Sequence, residues 1–190
     1  MIRDLILRNR SYRRFYEDER IGEEMLRDLV DLARLSASGA NRQPLKYILS
    51  TEREQNAALF DCLAWAGYLE DWAGPAPGER PAAYVVILGD TEISKLFGID
   101  PGIAAQSILL GATEKGLGGC ILASIQRDRL CQILSVEPRY EILYVLALGK
   151  PREVVVIESL PPDGSIRYWR DKQDMHHVPK RSLDDIILGS

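Results

Sequence analysis

Two uninterrupted apolar runs constrain this 190-residue chain more than any other feature of its sequence. Ala82 to Leu88 is rich in β-branched residues, and Ile142 to Leu148 is equally continuous. Neither run alternates apolar and polar residues as a strand with one wet face does. Each therefore predicts a β-strand buried on both faces. Both are far shorter than the ~20 residues that cross a bilayer, so no transmembrane helix is expected.

On either side of these runs, the spacing of apolar residues predicts helices and shorter strands. The predicted helices are Gly22 to Ala37, Glu52 to Leu69, Ile103 to Lys115 and Gln126 to Leu134, and the predicted short strands are Tyr47 to Ser50 and Cys120 to Ala123. The strands lack the regular βαβ spacing of a doubly wound fold. The pattern therefore predicts a layered α+β domain.

Composition and charge narrow the possible functions. The chain is 46% hydrophobic with a net charge of −4, which suits one globular domain and argues against a broad nucleic-acid-binding face. The N-terminal MIRDLILRNR has no signal-peptide pattern, so we expect a cytoplasmic protein. The three cysteines fit no zinc motif or disulfide framework. The adjacent His176 and His177 would face opposite sides of a strand, so no metal site is expected.

The first segment that suggests binding chemistry is the basic turn from Arg10 to Arg14. In an extended chain, Ser11 and Arg13 point to the same side. A hydroxyl beside a guanidinium suits a phosphate or a ring carbonyl. The alternative interpretation is a solvated basic turn that offsets nearby acids.

A second candidate is the loop from Ser38 to Pro44. The amides of Asn41 and Gln43 offer donors and acceptors, and small neighbours such as Gly39 let a flat ligand approach the backbone. The loop is equally consistent with a simple helix cap at Gly39.

Two further segments complete the candidate set. Gly116 to Ser124 runs from a helix into a strand, the reverse of a dinucleotide-binding fingerprint, so it offers backbone amides or close packing instead. Lys180 and Arg181 are adjacent cations that suit a phosphate, or else form a surface patch. No acid–base or nucleophile constellation accompanies these segments. Any difficult chemistry is therefore expected from a bound cofactor.

Taken together, these segments resemble the nitroreductase family of FMN-dependent oxidoreductases. The matching motifs, in order over nearly the whole chain, are RNRSYRRF, SASGANRQP, DPGIAAQSILLGATEKGLGGCILASI, ALGKP and VPKRSLDDII. The short stretch from Trp65 to Arg80 is similar to the compact branch of that family, which lacks a long inserted lid.

The resemblance implies a single domain, residues 1–190, with a three-layer α/β/α sandwich and a mostly antiparallel central sheet. It also implies a homodimer with FMN at the interface, in which a C-terminal arm (about residues 152–190) packs on the partner subunit. The implied cofactor-binding residues are Arg10, Ser11, Arg13, Ser38, Gly39, Asn41, Gln43, Leu122, Ala123, Ser124, Lys180 and Arg181. The loop containing Asn41 is implied to serve the other subunit's flavin.

The activity implied by the resemblance is hydride transfer from NADH or NADPH, through flavin N5, to nitroaromatic, quinone or similar electron-poor acceptors by a ping-pong mechanism. Arg13 is the expected cation beside the N1–C2 edge of the ring. The chain departs from the family pattern at Ile121 and Ala123, and in GPAPGERPAA, which lacks the usual Asn and Lys ring contacts. A flavin carrier or sensor, reductive dehalogenation, flavin fragmentation and a non-flavin interaction module remain as alternatives.

Overall fold

A four-stranded antiparallel sheet forms the middle layer of the molecule. The structure is a computed structural model that describes residues 1–189. The strand order is β1-β2-β4-β3. The strands are β1 (Leu45–Ser50), β2 (Ala83–Asp90), β3 (Gly118–Leu122) and β4 (Tyr140–Gly149), and the helices are α1 (Ile2–Arg8), α2 (Glu23–Leu35), α3 (Arg53–Phe60), α4 (Asp100–Glu114) and α5 (Arg127–Leu134).

The two apolar runs occupy the centre of this sheet, as the sequence predicts. All eight residues of β2 are buried, and β2 pairs with β4 along its full length. On one face of the sheet, α2 and α4 pack through Leu26, Leu29 and Ile108. On the other face, α3 and α5 contribute Leu59 and Leu130. The predicted α/β/α layering and antiparallel sheet are therefore confirmed.

The extent of one predicted helix is wrong. The periodicity from Glu52 to Leu69 predicts a continuous helix, but α3 ends at Phe60. The chain beyond it bends so that Leu63 pairs with Ile125 in an isolated bridge, and Ala66 adopts a φ of 40°. The apolar residues of this stretch therefore enter the core from a loop, where Trp65 packs against the ring of Phe60.

The C-terminal arm forms a small sheet of its own. Its strands, β5 (Val155–Ser159), β6 (Trp169–Arg170) and β7 (His176–Lys180), lie in the order β5-β7-β6, and β5 and β7 are parallel. The arm contacts the body of the same chain. The ring centre of Tyr168, the residue before β6, lies 4.9 Å from the ring centre of Tyr68. The apolar residues from Leu183 to Leu188, whose pattern suits a short helix or strand, form only a turn. Packing of the arm on a partner subunit stays a prediction.

Two observations concern residues 1–189, the part of the chain that the structure describes. No helix in that range has the length and apolarity needed to cross a membrane. His176 and His177 project to opposite faces of β7, and no cluster of metal-ligating side chains forms within the same range.

Candidate functional site

The basic turn that follows α1 runs alongside the edge strand β3. Ser11 forms a parallel bridge with Gly119, and the Tyr12 amide donates to the Gly119 carbonyl over 3.0 Å. Gly118 permits this close packing, because a Cβ atom there would collide with the ring of Tyr12. The extended turn sends successive side chains in opposite directions, which separates Arg13 from its neighbour Arg14.

A buried carboxylate holds this turn in place. The Glu153 side chain, which is 1% exposed, accepts hydrogen bonds from the backbone amides of Arg13 and Arg14. It also forms a 2.8 Å ion pair with Arg170 of the C-terminal arm. Arg14 turns the other way and binds Glu79 through two hydrogen bonds, of 2.6 and 2.7 Å. The turn is therefore anchored at its backbone, while the Arg13 side chain is left to face a cavity.

That cavity, the Arg13 cavity, has a volume of about 280 Å³ and brings together residues from both ends of the chain. Its lining consists of Asn9, Arg10, Ser11, Arg13, Val155, Tyr168, His176, Val178 and Lys180. Four of the predicted cofactor-binding residues meet here, namely Arg10, Ser11, Arg13 and Lys180. Arg181 is exposed and lies outside the lining.

The Arg13 cavity is electropositive. Its lining includes three cations and no carboxylate. The Nε atoms of Arg10 and Arg13 are buried without a hydrogen-bond partner in the described part of the chain. The Arg13 guanidinium lies 4.9 Å from the centre of the Tyr168 ring and 3.3 Å from Nε2 of His176. Such unpaired donors favour an anionic or acceptor-rich ligand, although one other nitrogen of each guanidinium already donates to a backbone carbonyl, of Ile6 or of Ser11.

His176 does not add a positive charge to this cavity at neutral pH. Burial, reinforced by the charges of Arg13 and Arg170, lowers the pKa of His176 to about 4. Because an arginine can only donate, the contact with Arg13 assigns the acceptor role to Nε2 of the neutral ring. Sequence reasoning did not identify His176 or Tyr168 as cavity residues, since nothing local signals their long-range contact with Arg13.

The residues of the Arg13 cavity fit part of FMN. Two guanidinium groups, an ammonium group and a hydroxyl form a donor set that suits a phosphate dianion and a polar ring edge. The volume of about 280 Å³ lies just below the ~300–1,000 Å³ typical of pockets for whole small molecules. The cavity therefore suits the charged end of the cofactor, and the flavin ring needs further surface.

The loop from Ser38 to Pro44, which is predicted to supply that surface, does not line the Arg13 cavity within one chain. Ser38 Oγ donates to Asp100 Oδ2 over 2.6 Å, and the Gly39 amide donates to Oδ1 over 2.9 Å. Asn41 and Gln43 both adopt positive φ angles, of 55° and 52°. Ser38 and Gln43 line a separate cavity of about 230 Å³ that shares no residue with the Arg13 cavity.

Asp100 of α4 holds this loop, and it was not identified from the sequence. It is 6% exposed at the first turn of α4, directly before Pro101. An acidic residue followed by proline is a helix-start signal that could have identified it. Its carboxylate satisfies the loop's own donors, so that the side chains of Asn41 and Gln43 remain exposed.

The third predicted segment follows the end of β3. Leu122 is buried in the sheet, whereas Ala123 and Ser124 are exposed. The Ser124 carbonyl accepts a 3.0 Å hydrogen bond from the Ala64 amide, which ties the segment to the loop after α3. None of these three residues lines the Arg13 cavity.

Comparison with known proteins agrees with this architecture. The sequence profile described as the nitroreductase family matches residues 6–150. A protein of Archaeoglobus fulgidus is 26% identical over 178 residues, covering 92% of this chain and 89% of its own length. It carries the provisional name NADH dehydrogenase/NAD(P)H nitroreductase.

Solved structures share the fold at lower sequence identity. A nitroreductase family protein from Streptococcus pneumoniae has a TM-score of 0.70 at 18% identity and covers 100% of both chains. A protein from Clostridium difficile described as an FMN-dependent nitroreductase has a TM-score of 0.66 at 22% identity, covering 80% of this chain and 88% of its own. Because the family profile matches most of the sequence and the fold agrees, the chain belongs to the nitroreductase family.

Proposed function

We propose that this protein is an FMN-dependent oxidoreductase that passes hydride from NADH or NADPH to nitroaromatic, quinone or similar electron-poor acceptors. The observation that carries the proposal is the meeting of Arg10, Ser11, Arg13 and Lys180 around one electropositive cavity. Membership of the family and the names of its relatives support the same activity. FMN, when bound, supplies the atom that accepts and returns the hydride.

In this proposal, the chain's own residues bind and orient rather than react. Arg10 and Lys180 hold the phosphate, helped by the hydroxyl of Ser11. Arg13 presents a guanidinium that is fixed by its contact with His176 and by the anchoring of its amide on Glu153. A fixed positive charge there stabilises electron density that arrives on the ring edge.

The rest of the proposed site comes from a second copy of the chain. Ser38, Gly39, Asn41 and Gln43 would contact the partner's flavin, which is consistent with their separation from the Arg13 cavity within one chain. Leu122, Ala123 and Ser124 would pass the ring near its reactive nitrogen, and Arg181 would assist Lys180. The proposed assembly is a homodimer with two FMN sites.

One observation favours a second function, a flavin carrier or sensor with little turnover. Tyr168 and His176 of the C-terminal arm fill space beside Arg13 and limit the cavity to about 280 Å³. If these side chains keep that arrangement after the cofactor binds, little room is left for a second substrate. Turnover measurements distinguish the two functions.

The test begins with the absorbance spectrum of the purified protein and with its mass in solution. The proposal expects flavin absorbance, one FMN for each chain and a dimer. Anaerobic addition of NADH or NADPH should then bleach the flavin, and a nitroaromatic or quinone should restore its absorbance. A protein without flavin would refute the proposal. A protein with flavin that neither nicotinamide reduces would support the carrier function instead.

A further inference from the structure

A cavity that takes no part in the proposed flavin site lies at the start of β2. This cavity, the Tyr84 cavity, has a volume of about 500 Å³, well inside the range of small-molecule pockets. Its lining includes the Arg80 and Tyr84 side chains and the aromatic ring of Phe60. It shares no residue with the Arg13 cavity or with the cavity of about 230 Å³ that Ser38 and Gln43 line.

The first unusual group in the Tyr84 cavity is a fully buried hydroxyl. The Tyr84 side chain is 0% exposed, and its hydroxyl has no hydrogen-bond partner among residues 1–189. Burial raises the pKa of Tyr84 well above its ordinary value, so the group stays protonated and remains a donor. Buried hydroxyl groups in proteins are usually partnered, which points to a ligand here.

The second unusual group is the guanidinium of Arg80, which forms no ion pair with any of residues 1–189. Arg80 lies flat over the Phe60 ring, 4.1 Å from its centre, and its buried Nε has no partner within the described chain. Its neighbour Glu79 is taken by Arg14. The nearby Glu17 carboxylate accepts hydrogen bonds from the backbone amides of Gly78 and Arg80 instead.

The wall that carries these groups is held firmly. The Asn56 side chain donates to the Ala82 carbonyl over 2.8 Å and accepts from Ser50 Oγ over 2.8 Å. These bonds join α3, β1 and the residues before β2. The backbone next to Arg80 and Tyr84 is therefore held in place, while burial restrains the Tyr84 side chain and stacking on Phe60 restrains the Arg80 guanidinium. Such restraint lowers the ordering cost of binding.

We propose that the Tyr84 cavity binds a small organic carboxylate. A planar guanidinium and a phenolic hydroxyl together match the two oxygen atoms of a carboxylate. Ala57, Pro81 and Ala82 supply an apolar wall for the body of the ligand. The lining also carries three carboxylates, of Glu17, Glu52 and Glu54, and two further guanidinium groups, of Arg20 and Arg53, the second of which is paired with Asp18. Because the charges around Arg80 are nearly balanced, a singly charged ligand matches the cavity better than a dianion such as phosphate does.

The test is calorimetric titration of the flavin-loaded protein with cyclohexanecarboxylate, using neutral cyclohexanemethanol as the ligand control. We expect saturable binding of one carboxylate for each chain and at least 10-fold weaker binding of the alcohol. Tyr84→Phe removes only the hydroxyl and Arg80→Gln removes the charge, and each should weaken the carboxylate at least 10-fold. Arg3→Gln, at an exposed and unpaired arginine of α1, should leave binding unchanged.

The flavin content and the melting temperature of each variant show whether it is folded. Tyr84→Phe should retain both, because it removes a polar atom that has no partner. The proposal is overturned if the carboxylate does not bind, or if it binds the folded Tyr84→Phe and Arg80→Gln variants as tightly as the parent. Tighter binding of inorganic phosphate than of cyclohexanecarboxylate also overturns it.

Discussion

Replacing Glu153 by glutamine should destabilise the protein far more than its change in shape suggests. The carboxylate is 1% exposed, and its 2.8 Å partner Arg170 is 11% exposed, so the variant leaves a buried guanidinium without its counter-ion. Removing one partner of a buried ion pair costs about 3–5 kcal/mol. The bonds from the Arg13 and Arg14 amides also lose a charged acceptor. We expect the free energy of unfolding to fall by about 4 kcal/mol.

The measurement is urea denaturation at fixed protein and flavin concentrations, with tryptophan fluorescence and circular dichroism as the two probes of unfolding. Glu23→Gln is the matched control, because Glu23 forms a 2.7 Å pair with Arg27 and both side chains are more than half exposed. Exposed pairs contribute about 0–1 kcal/mol. Adding Arg170→Met to Glu153→Gln should recover about half of the loss. Equal losses for Glu153→Gln and Glu23→Gln would refute the reasoning.

Three other substitutions test the two loops and the arm. Arg13→Ala should lower flavin retention at least 10-fold, measured as flavin absorbance for each chain after dialysis; unchanged retention would contradict its role. Asp100→Asn should cost about 2 kcal/mol in urea unfolding, because two hydrogen bonds lose their charged acceptor. The pKa of His176 is lower in the folded protein than in the unfolded chain. As the pH falls, His176 is therefore protonated in the unfolded chain before it is protonated in the folded protein. Unfolding free energy should therefore drop by about 3 kcal/mol between pH 6.5 and 4, and His176→Gln should lack that part of the decrease.

The elements that the sequence predicts well are those whose signal is local. The apolar stripe of Gly22 to Ala37 predicts α2 to within two residues at each end, and the run from Ala82 to Leu88 predicts the fully buried β2. Periodicity fails after Phe60, because the apolar residues of that stretch are recruited by distant parts of the core. A loop that packs inward has the same composition as a helix that packs inward.

In the candidate site, too, contacts between residues close in sequence are predictable and contacts between distant residues are not. Ser11 and Arg13 are predictable together, because alternate residues of an extended segment point to the same side. Arg10, which the same alternation would place on the other side, lines the same cavity. Their meeting with Lys180 follows from the resemblance and from the cavity, not from any local pattern. Glu153 is 140 residues from Arg13 in sequence, so its role depends on tertiary contacts that no window of sequence contains.

Glu153 and Asp100 perform the same task in two places, although neither lines the Arg13 cavity. Each is a buried carboxylate that accepts two hydrogen bonds from an irregular segment, Glu153 from two backbone amides and Asp100 from one amide and one hydroxyl, so that the segment is held while its outward side chains stay available. Rigid donors lose less conformational freedom when a ligand binds, and they present the same charge before and after binding. A turn whose backbone amides are satisfied by Glu153 and whose side chains include Arg10 and Arg13 therefore explains how a chain with a net charge of −4 can build a locally electropositive cavity.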